Sequence, residues 1–283
     1  MLTISIGPLS LPFDRFLILI SFAIAMLVGY IAGRKHKVSE SKSVDGQLAS
    51  VFIVAMIVSR LSFVVEYWQE YSANWLSIID IRDGGFNVWA GLIALLLMIV
   101  WYGWRETKTR KPFLSGAVAG FLVWSLVSVG LWAIEDTSQR LPKLVVSELN
   151  GQSVELNDIE AGKPRVINLW ATWCPPCRRE MPVLQQAQQE NPDTGIIFVN
   201  QGEHPAVVEQ YLQKESLDLK NTVMDTKGML GQLVGSRALP TTLFINSKGE
   251  LVDAHLGELS RASLAAKLER MKQSEIKNQE GTK

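Results

Sequence analysis

Cysteine is almost missing from this chain: there are two in 283 residues, Cys174 and Cys177. A structural zinc site takes about four ligands, and the three histidines, His36, His204 and His255, are scattered, so no metal site is expected. An excess of either charge is missing too. Lys and Arg together number 28, as do Asp and Glu, and this balance leaves no electrostatic footprint for a nucleic acid partner. Internal repeats and low-complexity tracts are lacking. The first residues have neither the basic n-region nor the small-residue cleavage site of a secretory signal, so the first apolar run is expected to be a membrane helix.

What is present is unevenly spread. The hydrophobic share is 47%, and 283 residues suggest two domains, but nearly all the long apolar runs lie before residue 136. Four runs, about Phe13–Gly33, Leu48–Val65, Phe86–Trp104 and Phe113–Ile134, approach the ~20 residues that cross ~30 Å of hydrocarbon. One such run could be a buried core helix. Four in succession, with charged loops between them, predict an α-helical membrane domain of about four helices over 1–136. Arg34, Lys35, Lys37 and Lys42 follow the first run, and Arg105, Lys108, Arg110 and Lys111 follow the third. The loop after the second carries Glu66, Glu70, Asp80 and Asp83 against Arg82 alone. Basic loops stay cytoplasmic, so both termini are expected outside, in the periplasm or on the outer face of a one-membrane cell. Trp68, Trp75, Trp89, Trp101, Trp104 and Trp132 lie near the run ends, where interfacial anchors are expected. Arg60, inside the second run, has two readings: a snorkelling side chain or a site for an anionic lipid or a partner.

Residues 137–283 alternate strand and helix. "RVINLWA" is too short an apolar run for a helix and predicts a buried strand. A helix from Cys174 to about Glu190 follows, then the strand "GIIFVNQ", the amphipathic helix "PAVVEQYLQKE" and a short helix in "TKGMLGQLV". "TTLFINSKGELVDAHLG" predicts a hairpin turning at Ser247-Lys248-Gly249. "SRASLAAKLERMKQ" closes the domain as a helix capped by Ser260, and "KLVVSELNGQSVELND" adds a hairpin in front. The cysteine pair falls where the first core strand meets its helix. Its spacing leaves open a redox pair or a structural disulfide, although a C-x-x-C bridge closes too small a loop to remove much chain entropy.

"NLWATWCPPCRREMPVL", "VNQGE" and "ALPTTLFINSKGELV", within about 141–270, resemble the thioredoxin fold, and within it the TlpA/ResA-type periplasmic disulfide reductases. The resemblance implies an α/β thioredoxin fold over 137–283, outside the membrane, with thiol–disulfide oxidoreductase activity and a redox-active Cys174–Cys177 disulfide in place of any cofactor. Cys174, at a helix N-terminus, would meet orphan N–H groups and the helix dipole, which favour a thiolate. Lowering a thiol pKa from ~8.5 to ~7 raises its ionised share at pH 7 from about 3% to about half. Cys174 is therefore expected to attack and Cys177 to resolve. Thioredoxin's buried Asp, six residues before the first cysteine, is replaced here by Asn168. The proton-accepting role then passes to Glu180, one helical turn beyond Cys177. Trp173, Pro175, Pro176, Glu203, Leu239, Pro240 and Thr241 are the expected substrate contacts. Pro240 is expected in cis, with the Leu239 backbone pairing to an extended chain.

In the membrane half, "IGPLSLPFDRFLILISF", "SRLSFVVEYW" and "DGGFNVWAGLIALLLMIVWYGWR" resemble the prolipoprotein diacylglyceryl transferases over roughly 4–105. That family's GG-x-x-x-H-G-G-L pattern meets Gly84-Gly85-Phe86-Asn87-Val88-Trp89-Ala90-Gly91-Leu92, with Trp89 at the histidine position. Its later polar stretch has no counterpart in "AGFLVWSLVSVGLW". Loss of lipid transfer is the expectation, with a lipid-embedded docking scaffold retained. The expected partners are periplasmic protein thiols and disulfides, the lipid bilayer, and a separate membrane electron donor, since the membrane half holds no cysteine. The alternative is a diacylglyceryl-transferase-like lipid-modifying or lipoprotein-docking protein with an accessory redox module.

Overall fold

A computed structural model of the chain describes residues 3–6, 9–36, 43–72, 75–134, 140–236 and 238–280. They group into two compact units, Leu11–Ala73 with Gly85–Asp136, and Met1–Ser10 with Asn74–Gly84 and Thr137–Lys283. The expected boundary at 136/137 lies outside the described residues.

After two short paired strands, β1 (Thr3–Ile6) and β2 (Leu9–Pro12), come α1 (Phe13–Lys35), α2 (Val44–Glu66), the single turn α3 (Trp68–Ser72), α4 (Val88–Arg105) and α5 (Arg110–Ile134). All but α3 are long and apolar enough to cross a membrane. α2 starts before its apolar run because Ser43 caps it, its Oγ accepting from the Gly46 N–H at 3.2 Å. Asn87 caps α4 in the same way, through the Ala90 N–H at 3.1 Å.

Within this unit α1 lies along α5 and α2 along α4. The first pair meets through a stripe of small residues that the sequence reading did not mark: Ser21, Ala25 and Gly29 against Gly116 and Gly120. A Cβ added at Gly116 would stand 2.6 Å from the Ala25 carbonyl oxygen, and one at Gly120 would stand 2.8 Å from the Ala25 Cβ. Lipid tails are as apolar as leucine, so helices associate there by close backbone approach rather than by apolar burial. Gly120→Leu is therefore expected to lower unfolding stability in detergent by about 1–3 kcal/mol, the usual size of an overpacking penalty. Gly130→Leu is the control, because a Cβ there meets nothing within 4 Å. Equal denaturation midpoints for the two variants would refute the stripe.

Arg60 does not snorkel. It is buried, its Nη1 donates to the Gly85 carbonyl at 2.7 Å, and its guanidinium lies over the Tyr71 and Phe86 rings, 5.3 and 5.8 Å from their centroids. Ser59 Oγ donates beside it to the Asn87 carbonyl at 2.8 Å. The arginine thus turns inward and ties α2 to the start of α4. Trp68, Trp75, Trp89, Trp101 and Trp104 are exposed, as anchors should be. The Trp132 side chain lies outside the described residues.

The other unit is built on a seven-stranded sheet of β3 (Val145–Glu148), β4 (Ser153–Glu155), β5 (Arg165–Trp170), β6 (Gly195–Gln201), β7 (Thr222–Asp225), β8 (Thr241–Ile245) and β9 (Leu251–Leu256), in the order 4-3-7-6-5-8-9. β5, β6 and β7 run parallel, and the strands on either side are antiparallel. Helices α6 (Pro175–Glu190), α7 (Pro205–Lys214), α8 (Met229–Leu233) and α9 (Arg261–Glu280) complete it. Both expected hairpins form, and Ser260 caps α9 through the Ser263 N–H at 3.1 Å. β7 was not expected. All six residues of β5 are buried, and they alternate between two cores. Val166 and Trp170 pack with Met181 and Leu184 of α6 and Leu264 of α9, whereas Ile167 and Leu169 pack with Leu156 and Leu230. Asn168 falls in the first set by period two, in register with Thr242 of β8, which is in register with His255 of β9.

Candidate active site

β5 ends at Trp170, and the chain reaches α6 through Ala171-Thr172-Trp173-Cys174. Cys174 is the N-cap of α6, and its Sγ accepts from the Cys177 N–H at 3.3 Å. Pro175 and Pro176 occupy the first helical positions and have no N–H. The Cys177 N–H is therefore the only backbone donor in the first three helical residues, and it points at the Cys174 sulfur. The two cysteines are joined as a disulfide. Cys174 is the less buried of the pair, but only just: it is 3% exposed and Cys177 is 0%. Trp173, in contrast, stands 67% exposed beside them.

Glu180 lies one turn beyond Cys177 and is fully buried. Its Oε1 accepts from Asn168 Nδ2 at 2.8 Å, and its Oε2 from the Leu259 N–H at 2.9 Å. Burial pushes its pKa up to about 8, with Glu258 adding to the rise and the two hydrogen bonds opposing it. Arg179 draws the Glu258 charge aside in an ion pair at 2.6 Å.

Two expected substrate contacts make hydrogen bonds within the protein. Glu203 follows β6 across a turn at Gly202, whose φ is +78°. Its carboxylate accepts from the Thr172 N–H and from Asn200 Nδ2, both at 2.7 Å, and from the Thr172 hydroxyl. It is a clamp on the turn that carries Trp173 and Cys174, and neither Thr172 nor Asn200 was singled out from sequence. Glu203→Ala leaves those donors unpaired and is expected to cost about 1–3 kcal/mol of stability, read from chemical denaturation. Unchanged stability with weakened substrate binding would restore the substrate role. The Thr241 side chain is fully buried, its Oγ1 paired with Ser236 Oγ at 2.7 Å and donating to the Ala238 carbonyl at 2.7 Å, so it cannot reach a docked chain. Pro175 is exposed, while Pro176 and Leu239 are half-buried. The Leu239–Pro240 bond is cis, and the Pro240 carbonyl accepts from the Gly257 N–H at 3.0 Å.

A mixed sheet around a parallel centre, with a C-x-x-C disulfide where its central strand enters a helix, defines the thioredoxin-like class. The Redoxin family model matches residues 136–269, and the prolipoprotein diacylglyceryl transferase model matches residues 2–153. The thiol-disulfide oxidoreductase ResA of Halalkalibacterium halodurans is 35% identical over 130 residues, covering 45% of this chain and 73% of that protein. The ResA of Bacillus subtilis is 29% identical over 147 residues, covering 51% and 80%. Among solved structures, a thiol:disulfide interchange protein of the thioredoxin family from Chlorobium tepidum is 21% identical, covering 47% of this chain and 94% of that one, with a TM-score of 0.41. The chain belongs to the ResA-type thiol–disulfide oxidoreductases and, through its first half, to the prolipoprotein diacylglyceryl transferase family. It is accordingly an oxidoreductase of thiols and disulfides, joined to a helical domain of membrane type.

Proposed function

We propose that this oxidoreductase is a membrane-anchored reductase, with residues 1–136 in the membrane and 137–283 on the periplasmic side. The observation that carries the proposal is the placement of Cys174, Cys177 and Glu180 on successive turns of one helix, the carboxyl buried and of high proton affinity. The Cys174 thiolate attacks one sulfur of a substrate disulfide, whose S–S bond breaks and releases a first thiolate. Cys177 gives its proton to Glu180 and attacks the Cys174 sulfur. The second substrate thiolate leaves, and two electrons have passed to the substrate while Cys174–Cys177 becomes a disulfide. A carboxyl group near pKa 8 suits both directions, because its proton affinity is close to that of a thiol of pKa about 8.5. Ionised it takes the Cys177 proton, and protonated it returns that proton when a donor reduces the disulfide.

Trp173, Pro175 and Leu239 form the surface proposed to meet an extended substrate chain, with the cis Pro240 buried behind Leu239, and oxidised cysteines of exported proteins, including apocytochrome c, are the proposed substrates. The loop charges support the outward placement. The membrane half has no cysteine with which to relay electrons, so the donor is proposed to be a separate membrane protein, with this half as its dock or the substrate's. Trp89, at the family's histidine position, is exposed, which favours docking over lipid transfer.

Acid-quench alkylation of intact cells tests the direction of electron flow. The pair is expected to be mostly reduced in cells that hold the donor. A mostly oxidised pair in such cells would make the protein an oxidase.

A further inference from the structure

Asn168 occupies the position of thioredoxin's buried aspartate, but the hydrogen bonds around it give it a use of its own. Its Nδ2 donates to Glu180 Oε1 at 2.8 Å and to Thr242 Oγ1 at 3.0 Å. Its Oδ1 is buried and accepts no hydrogen bond among the described residues. An amide normally engages both ends. This one leaves its acceptor empty and presents both N–H groups, one of them to a carboxyl group that already receives the Leu259 N–H on its other oxygen. An ionised carboxylate only accepts hydrogen bonds, whereas a protonated one must donate. Both Glu180 oxygens therefore face donors, an arrangement that serves the charged form against the cost of its burial. The Leu259 donor is backbone and fixed. The Asn168 donor depends on which way the amide faces, and the same Nδ2 also donates to Thr242 Oγ1.

We infer that Asn168 is the positioning residue that sets how tightly Glu180 holds its proton, and hence the pH at which Cys177 can be deprotonated. This rests on Glu180 being the proton acceptor for Cys177. Among the described residues, the other charged or titratable groups around Glu180 include Glu258, before α9, and Arg179 on α6, paired with each other, Asp83, which accepts from Ser260 Oγ beside Leu259 at 2.7 Å, the cysteines on α6, and His255 on β9, in register with Thr242. In the oxidised protein the cysteines carry no titrating proton, so Glu180 can be followed without them.

The test is a pH titration of the carboxylic C=O infrared band of the oxidised full-length protein in detergent, with the band assigned by its loss in Glu180→Gln. The wild-type midpoint is expected near 8. Asn168→Leu should raise it by about one to two pH units, the size of one hydrogen bond to a charged group. Asn168→Asp, nearly the same shape, should split the titration into two steps, as two carboxyl groups share a proton. Wild-type midpoints in both variants would overturn the inference. If Asn168→Leu does not fold, a single unshifted step in Asn168→Asp overturns it alone. The role of Glu180 in the reaction is read separately, from the pH dependence of mixed-disulfide resolution in Glu180→Gln. Wild-type behaviour there would remove Glu180 as the acceptor and the link to Cys177 with it, while the band midpoints still report on Asn168.

Discussion

Cys174→Ala is expected to bring insulin disulfide reduction down to the uncatalysed rate, while Cys177→Ala is expected to stall after one attack and accumulate mixed disulfides. The asymmetry follows from position. Cys174 caps α6 with its sulfur under the Cys177 N–H and has the little solvent contact the pair possesses, whereas Cys177 has none. A partner sulfur can reach Cys174 alone, and Cys177 can act only on what Cys174 already holds. Non-reducing gels of cells carrying each variant give the readout. Covalent adducts on Cys174→Ala rather than Cys177→Ala would reverse the two roles, and full activity in Cys174→Ala would remove the dithiol mechanism.

Glu180→Gln is expected to slow resolution of the mixed disulfide by about a hundredfold, the scale of a lost general base, and to flatten its rise with pH through 8. The same substitution has a signature in stability. Burial raises the Glu180 pKa to about 8, above the value of about 4.3 for a free Glu. The folded protein thus keeps a proton that the unfolded chain releases. The stability this brings is complete below about pH 4 and is lost as pH rises to about 8, by several kcal/mol at most. Glutamine does not titrate, so the variant should gain on the wild type between pH 5 and 8 in detergent denaturation. A stability difference that does not change with pH would mean that Glu180 is already ionised in the folded protein at pH 5.

The residues of the proposed catalytic unit and its neighbour Asn168 could be picked out because their signals are local. Asn168, Cys174, Cys177 and Glu180 fall within thirteen consecutive residues, and helical spacing alone puts Glu180 near Cys177. What surrounds the unit depends on contacts distant in sequence. Thr242 reaches Asn168 through the pairing of β8 with β5 across 74 positions, and the Leu259 N–H reaches Glu180 across 79. No local pattern encodes either. β7 escaped because a four-residue buried strand has too few positions to show a period. Glu203 was found as an acidic residue near the site, but its hydrogen-bond partners, Thr172 on the turn before Cys174 and Asn200, carry no local pattern. In the membrane half, hydropathy located the helices but could not say that Gly116 and Gly120 face Ala25, nor that Arg60 points inward, because every face of such a helix is apolar.

The near-complete burial of Cys174 beside the protruding Trp173 bears on how the protein keeps its electrons. An oxidising compartment is full of small disulfides and oxidants, and a low-pKa thiolate in open solvent would equilibrate with them quickly. Cys174, a residue 3% exposed in the disulfide form, offers them almost no collision cross-section. A protein that first settles against the indole can bring its own sulfur within reach. Under the proposed function, this burial insulates the couple kinetically, so that it can sit far from the potential of an oxidising compartment while the proposed donor keeps reducing it.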